Sequence, residues 1–192
     1  MQDKSFLDNS FTSPINWQLL SKAHEYYSKF FLYKETPFIV PEYFSSITKP
    51  HTNSSFILNE DMFQSQPHEL VGSAEQGFIY LLLTNKISNG SFFSITPCFR
   101  ADNYDKIHFP WFMKLEIFEC PSNLSRVIDV LDICLEFFKK NKDGNYQIVK
   151  TSDMSWDINL NNIEIGSYGI RNINKQMILY ATGLALPRFS IV

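Results

Sequence analysis

The chain has 192 residues, 44% hydrophobic and 16% aromatic; it is shorter than the roughly 250 residues at which cores split and too apolar for disorder, so one domain over 1–192 is expected. Seventeen basic against 20 acidic side chains leave a formal charge of -3, which excludes nucleic-acid binding through a uniformly cationic surface. The apolar run Phe78 to Leu83 is too short to span a membrane, no signal segment opens the chain, and Cys98, Cys120 and Cys134 are an odd set without close pairing, so a cytoplasmic protein with free thiols is expected.

Ser13 followed by Pro14 predicts a helix start, and Trp17, Leu20, Tyr27 and Phe31 follow at helical spacing, giving a helix over 14–30. The β-branched and aromatic run Phe31 to Val40, bounded by Pro37 and Pro41, predicts an edge strand. Segment 42–70 is polar and long for a connection, which marks it as a functional loop. Ser73 and Gln76 stand at capping-box spacing before Phe78 to Leu83, so a helix is predicted from Ser73.

Phe92 to Arg100 alternates, with Ser94, Thr96, Cys98 and Arg100 on one face. After a loop, a second alternating run puts Phe112, Lys114, Glu116 and Phe118 opposite Met113, Leu115 and Ile117. If the two runs pair, one face carries an anion-binding guanidinium, an aromatic platform and an ionic pair; alternation alone also allows a plain solvated face. From Leu124 the positions Val127, Ile128, Leu131, Leu135 and Phe138 form one apolar helix face, with Ser122 or Asn123 as cap and Lys139, Lys140, Lys142 and Gly144 closing it.

Asn161-Asn162 separates two further alternating runs and predicts a two-residue hairpin turn. Pairing Leu160 with Ile163 sets Asn159 against Glu164 and Asp157 against Gly166, which gathers two carboxylates on one face. Such a pair suits magnesium held largely through a substrate's phosphates, or simply faces water. Near the end, small Gly183 and Ala185 alternate with larger side chains before Pro187 and Arg188, which leaves room for a flat ligand or reflects tight packing. His24, His51, His68 and His108 have neither metal-ligand spacing nor a nucleophile partner, and no hydrolase triad is legible.

These pieces, in this order, resemble the catalytic core of the class II aminoacyl-tRNA synthetases from about Trp17 onward. Phe30-Phe-Leu-Tyr-Lys-Glu-Thr-Pro37 after its helix looks like motif 1; Cys98-Phe-Arg-Ala-Asp102 with Trp111-Phe-Met-Lys-Leu-Glu116 looks like motif 2; Gly183-Leu-Ala-Leu-Pro-Arg188 looks like motif 3. Val71-Gly-Ser-Ala-Glu75 is similar to the loop that receives the substrate amino group in seryl-type enzymes, and Glu164-Ile-Gly-Ser-Tyr-Gly-Ile-Arg171 resembles the acidic strand before motif 3.

The resemblance implies an α+β fold, an antiparallel β-sheet flanked by helices, and activation of an amino acid with ATP and magnesium (Mg2+). It implies that Arg100 binds the α-phosphate, Asp102 contacts the adenine amino group, Phe112 stacks under the base, and Arg188 covers its other face and reaches the γ-phosphate. Arg100 and Arg188 would be catalytic, Glu164 and Asp157 would hold the metal, and Ser167 would join the nucleotide site. Ser73 and Glu75 would take the amino group, with Lys114, Glu116 and Gly166 lining the side-chain pocket. The acceptor is tRNA or another molecule, and a homodimer forms through motif 1. Asp102 stands where glutamate is usual, Ala185 and Pro187 depart from motif 3, and a full motif 3 helix is not expected before Val192. A non-catalytic ligand-binding paralogue and an amide-forming adenylate ligase are the alternative expectations.

Overall fold

The computed structural model describes residues 15–48, 56–58, 66–101 and 105–192. Helix α1 spans Trp17–Tyr27 and is capped by Asn16, whose side chain accepts from the Leu19 amide at 3.0 Å. It is thus shorter than the predicted 14–30 helix, and the Ser13-Pro14 cap lies outside the described residues. Two short strands follow where one was expected: β1 (Leu32–Tyr33) and β2 (Ile39–Pro41) belong to different sheets. The break is made by Thr36, whose buried hydroxyl bonds to Ser94 Oγ at 2.9 Å and Thr96 Oγ1 at 2.8 Å and so pulls the chain off a straight strand path.

Segment 42–70 contains helix α2 (Glu42–Ser46) and strands β3 (Ile57–Leu58) and β4 (His68–Leu70), which joins β2 and β3 in a small antiparallel sheet. The rest of the expected functional loop, 49–55 and 59–65, lies outside the described residues. Helix α3 spans Ala74–Leu83 with Ser73 at its cap position, but the predicted capping box does not form. Gln76 reaches back one residue further, to the Gly72 amide at 2.8 Å, and the Ser73 hydroxyl is spent elsewhere.

The main sheet comprises β5 (Gly90–Phe99), β6 (Trp111–Cys120), β7 (Tyr146–Ser152), β8 (Ser155–Leu160), β9 (Ile163–Ile173) and β10 (Gln176–Leu186) together with β1, in the order β1-β5-β6-β10-β9-β8-β7. All neighbours are antiparallel except β1 with β5, so the α+β reading with helices flanking an antiparallel sheet holds. β5 and β6 pair as expected, Cys98 against Phe112 and Thr96 against Lys114. Pro97 is tolerated because β1 reaches only Phe92 and Phe93, leaving that edge open; farther along it the Phe99 amide donates to Val71 O at 2.8 Å. That bond lays the segment before α3 beside the end of β5.

One face of the sheet is covered by α1 and by α4 (Leu124–Asn141), which Asn123 caps at the Arg126 amide. Leu20, Ala23, Tyr27, Val127, Leu131 and Phe138 pack there against Phe93, Leu115, Ile117, Leu179 and Leu184. Each fully buried large apolar side chain contributes about 1.5–3 kcal/mol before entropy is counted. On the other face α3 covers only part of the sheet: Phe78, Ile79 and Leu82 pack on Phe92, Phe118 and Ile178, with the Phe78 and Phe118 rings stacked at 4.9 Å. The uncovered part is where the polar faces of β6, β8, β9 and β10 meet.

The turn Asn161-Asn162 has φ of 52° and 67°, the left-handed pair a type I′ hairpin requires, and Asn174-Lys175 makes a second such turn between β9 and β10. β10 bulges at Gly183, where Thr182 opposes Glu116 and Leu184 opposes Leu115. Helix α5 (Arg188–Ile191) follows Pro187 and is tied to the end of α4 by Lys142 Nζ, which donates to Phe189 O and Ser190 O at 3.0 Å each.

Candidate active site

On the open face, Arg100 at the end of β5, Phe112 and Lys114 on β6, Glu164 and Ser167 on β9, Thr182 and Ala185 on β10 and Arg188 on α5 line one cavity with an empty volume of about 700 Å³, part of it open to solvent. Ile107, His108 and Phe109 of the β5–β6 loop form its outer wall. The Arg100 guanidinium lies 5.1 Å from the centre of the Phe112 ring, and its Nε donates to Gly72 O at 3.1 Å, so the β5–β6 strand pair and the segment before α3 are joined at the cavity's edge. Arg188 spans the opposite rim: Nε donates to Ile107 O and Nη1 to Glu164 O, both at 3.4 Å, and Nη1 lies 3.9 Å from Glu164 Oε1.

Beyond Lys114 the site continues as a buried polar network beneath the start of α3. Glu116, only 1% exposed, accepts from the Ser73 hydroxyl, from the Glu75 amide at 3.1 Å and from Lys114 Nζ at 3.0 Å; Lys114 also donates to Ser73 Oγ at 3.1 Å. Glu75, 4% exposed, accepts at Oε1 from Arg171 Nε at 2.8 Å, and the Arg171 guanidinium lies 4.6 Å from the centre of the Tyr180 ring. Burial pushes the Glu75 carboxyl up to about 7, with Arg171 pulling it down less strongly and Glu116 adding to the rise. Ser73, Glu75, Lys114 and Glu116 are thus gathered as one constellation.

Asp157 and Glu164 also come together, but in a different register from the expected one. A bulge between Ile158 and Asn159 pairs Asp157 with Ser167 and Ile158 with Gly166, while Asn159 keeps its predicted partner Glu164. Burial raises the Asp157 carboxyl, the Ser167 hydroxyl bonded to it lowers it, and the Glu164 charge raises it again. Glu164 and Ser167 line the cavity and Asp157 stands beside Ser167, a pair of carboxylates that fits a hard cation completed by ligand oxygens. Among the described residues no group of three or more His, Cys, Asp and Glu side chains forms a closed metal site.

Two expected positions are corrected. A Cβ on Gly166 would lie 2.6 Å from the Tyr168 hydroxyl, which is buried among core residues, so Gly166 faces the helices and not the pocket. Likewise a Cβ on Gly183 would meet Leu115 and Tyr27; the small residue that lines the cavity is Ala185. Gly169 is the glycine that opens the site face, since a Cβ there would lie 2.6 Å from the Tyr180 hydroxyl. Asp102 lies outside the described residues.

Sequence reasoning missed His108, Thr182, Arg171 and Tyr180. His108 Nδ1 pairs with Asp105 Oδ2 at 2.7 Å, and Asp105 Oδ1 accepts from the Ile107 and His108 amides, which holds the imidazole at the cavity wall. Its signal was position in the loop between Arg100 and Phe112. Thr182 and Tyr180 share the strand parity of the site face, a signal that the run toward Arg188 carried once extended backward.

No protein-family model and no curated protein matches the chain by sequence. Among solved structures it is similar to a pyrrolysyl tRNA synthetase, PylSc of Desulfitobacterium hafniense, with a TM-score of 0.72 and 16% identity over 97% of this chain and 71% of that one. Giardia lamblia prolyl-tRNA synthetase in complex with prolyl-adenylate matches with a TM-score of 0.70 and 12% identity, covering 90% of this chain and 44% of that one. Cytoplasmic serine-tRNA ligase of Naegleria fowleri in complex with AMP gives a TM-score of 0.70 and 13% identity, covering 92% of this chain and 53% of that one. The chain has the fold of class II aminoacyl-tRNA synthetase catalytic domains.

Proposed function

We propose that this chain is a single catalytic domain that activates an amino acid with ATP, forming an aminoacyl-adenylate for transfer to tRNA or another acceptor. One observation carries the reading: Arg100, Phe112, Glu164, Ser167 and Arg188, supplied by three strands and a helix, line the same cavity. Solved structures of the same fold in complex with prolyl-adenylate and with AMP support a nucleotide ligand.

The substrate carboxylate and the α-phosphate of ATP are both anionic, so their approach is opposed by charge. Arg100 sits where a fixed guanidinium offsets that repulsion and stabilises the charge that builds as the carboxylate attacks phosphorus and pyrophosphate leaves. Phe112 offers a ring face to the base, while Arg188 and His108 supply cationic and hydrogen-bonding groups to the triphosphate. Glu75 keeps Oε2 free of any partner among the described residues, a buried acceptor suited to the substrate ammonium, with Ser73 beside it. Glu164 and Asp157, with Ser167, would hold magnesium, which neutralises phosphate charge when bound. No protein nucleophile is required.

The surface offered by Trp17, Phe30, Leu32, Tyr33 and Phe38 is large, apolar and exposed, which supports a homodimer across the motif 1 region. No described helix is long and apolar enough to cross a membrane, and three free buried thiols fit a reducing cytoplasm. The test is amino-acid-dependent exchange of pyrophosphate into ATP, run with magnesium and each common amino acid in turn. Exchange with one amino acid above all others is expected; ATP binding without any exchange would refute the catalytic reading in favour of a ligand-binding paralogue.

A further inference from the structure

The network beneath α3 holds two cations and two carboxylates, and they are unequally used. Lys114 gives two of its three hydrogens to Ser73 and Glu116, and both Glu116 oxygens accept, Oε1 from Lys114 and Oε2 from Ser73 and the Glu75 amide. Two other groups keep whole atoms without a partner among the described residues. Glu75 has one oxygen without a partner, and Arg171, fixed through Nε on Glu75 and against the Tyr180 ring, has no protein partner for either Nη among the described residues. A spare anionic acceptor therefore stands beside a spare pair of coplanar donors.

We propose that Arg171 reads the substrate side chain, and that the amino acid taken by this site carries a short acidic group of aspartate length. This rests on the reading of the cavity as an amino-acid activation site. Both Nη groups donate, so a carboxylate meets the fork with two acceptors, whereas an amide offers one acceptor and one competing donor, and a hydroxyl fills a single position. The short span follows from the shared anchor, since Arg171 and the ammonium would bind the same Glu75 carboxylate. Tyr180, stacked on the guanidinium, keeps the fork in place, and Gly169 provides the space that Tyr180 occupies.

The test is calorimetric titration of the full chain with the non-reactive mimics aspartyl-, asparaginyl-, seryl- and alanyl-sulfamoyladenosine. We expect the aspartyl mimic to bind at least tenfold more tightly than the other three. Arg171→Gln should lose tenfold or more for the aspartyl mimic and stay within about twofold for the alanyl one; Arg171→Lys, which keeps the charge without the fork, carries the same test if Arg171→Gln fails to fold. Tighter binding of the seryl or alanyl mimic, or equal weakening of all four by Arg171 substitution, would mean that Arg171 only holds Glu75 and would overturn the proposal while leaving amino-acid activation standing. Failure of every mimic to bind would overturn the activation reading itself, and this proposal with it.

Discussion

Arg100 Nε donates to the Gly72 carbonyl oxygen at 3.1 Å, so the guanidinium that faces the cavity is oriented by the backbone of the segment that leads into α3. Arg100→Ala should cut pyrophosphate exchange by about 10²–10³-fold, equivalent to about 2.7–4 kcal/mol of transition-state stabilisation. Exchange at the parental rate in a folded Arg100→Ala protein would remove Arg100 from the chemistry.

Phe112 presents its ring beneath Arg100 on the cavity wall. Replacing it by alanine should weaken ATP binding by about 1–3 kcal/mol, the usual worth of one base–aromatic stack, while Phe112→Tyr should remain near the parental affinity. Calorimetry with ATP alone separates this loss from any change in amino-acid binding.

The Glu164 charge raises the cost of ionising Asp157, and a cation between them and the phosphates would relieve it. Glu164→Gln and Asp157→Asn should each shift the magnesium concentration needed for half-maximal exchange upward, about tenfold for Glu164 and less for Asp157. An unchanged magnesium dependence in both variants would show that the ligand's phosphates hold the metal unaided.

Glu75 makes stability depend on pH in a direction opposite to that of an ordinary ion-paired carboxylate. Its folded value, about 7, lies above the ordinary 4.5, so between these values the folded state holds the extra proton and stability falls as pH rises. The contribution of this group should approach about 1.4 kcal/mol per pH unit in mid-window and vanish above pH 8. Urea unfolding from pH 5 to 8 measures it; Glu75→Gln should flatten the slope, and parallel curves for the two proteins would assign the slope elsewhere.

Leu32 is 66% exposed on an edge strand beside exposed Phe30 and Tyr33. Leu32→Glu should shift the protein from dimer to monomer in light scattering at micromolar concentration. A parental protein that is itself monomeric would dissociate this surface from self-assembly.

Much of this architecture was readable because β5 and β6 alternate over long runs, and alternation fixes both face and register when one side must be buried. The turn at Asn161-Asn162 was readable for a local reason as well, two residues that tolerate positive φ. The bulge at Ile158 and Asn159 was not, since one inserted residue leaves no periodic trace, and it moved Asp157 from Gly166 to Ser167. The run 31–40 misled because its composition suits a strand, while the turn is imposed by hydroxyl bonds to Ser94 and Thr96 far along the chain. Arg171 was overlooked because Glu75, the partner that gives it a role, is separated from it by 96 positions.

The bulge of β10 has one further effect. Tyr27, on the outer helix α1, donates its hydroxyl to Gly183 O at 2.8 Å, and Tyr168 donates to Thr182 O at 2.8 Å. Both phenols are wholly buried, so two rigid struts from the packed side brace the stretch of backbone whose other side is the cavity floor. A side chain at 183 would wedge Tyr27 and Leu115 apart and tilt Thr182 and Ala185 together, so damage on the helix side would register as a misshapen cavity floor.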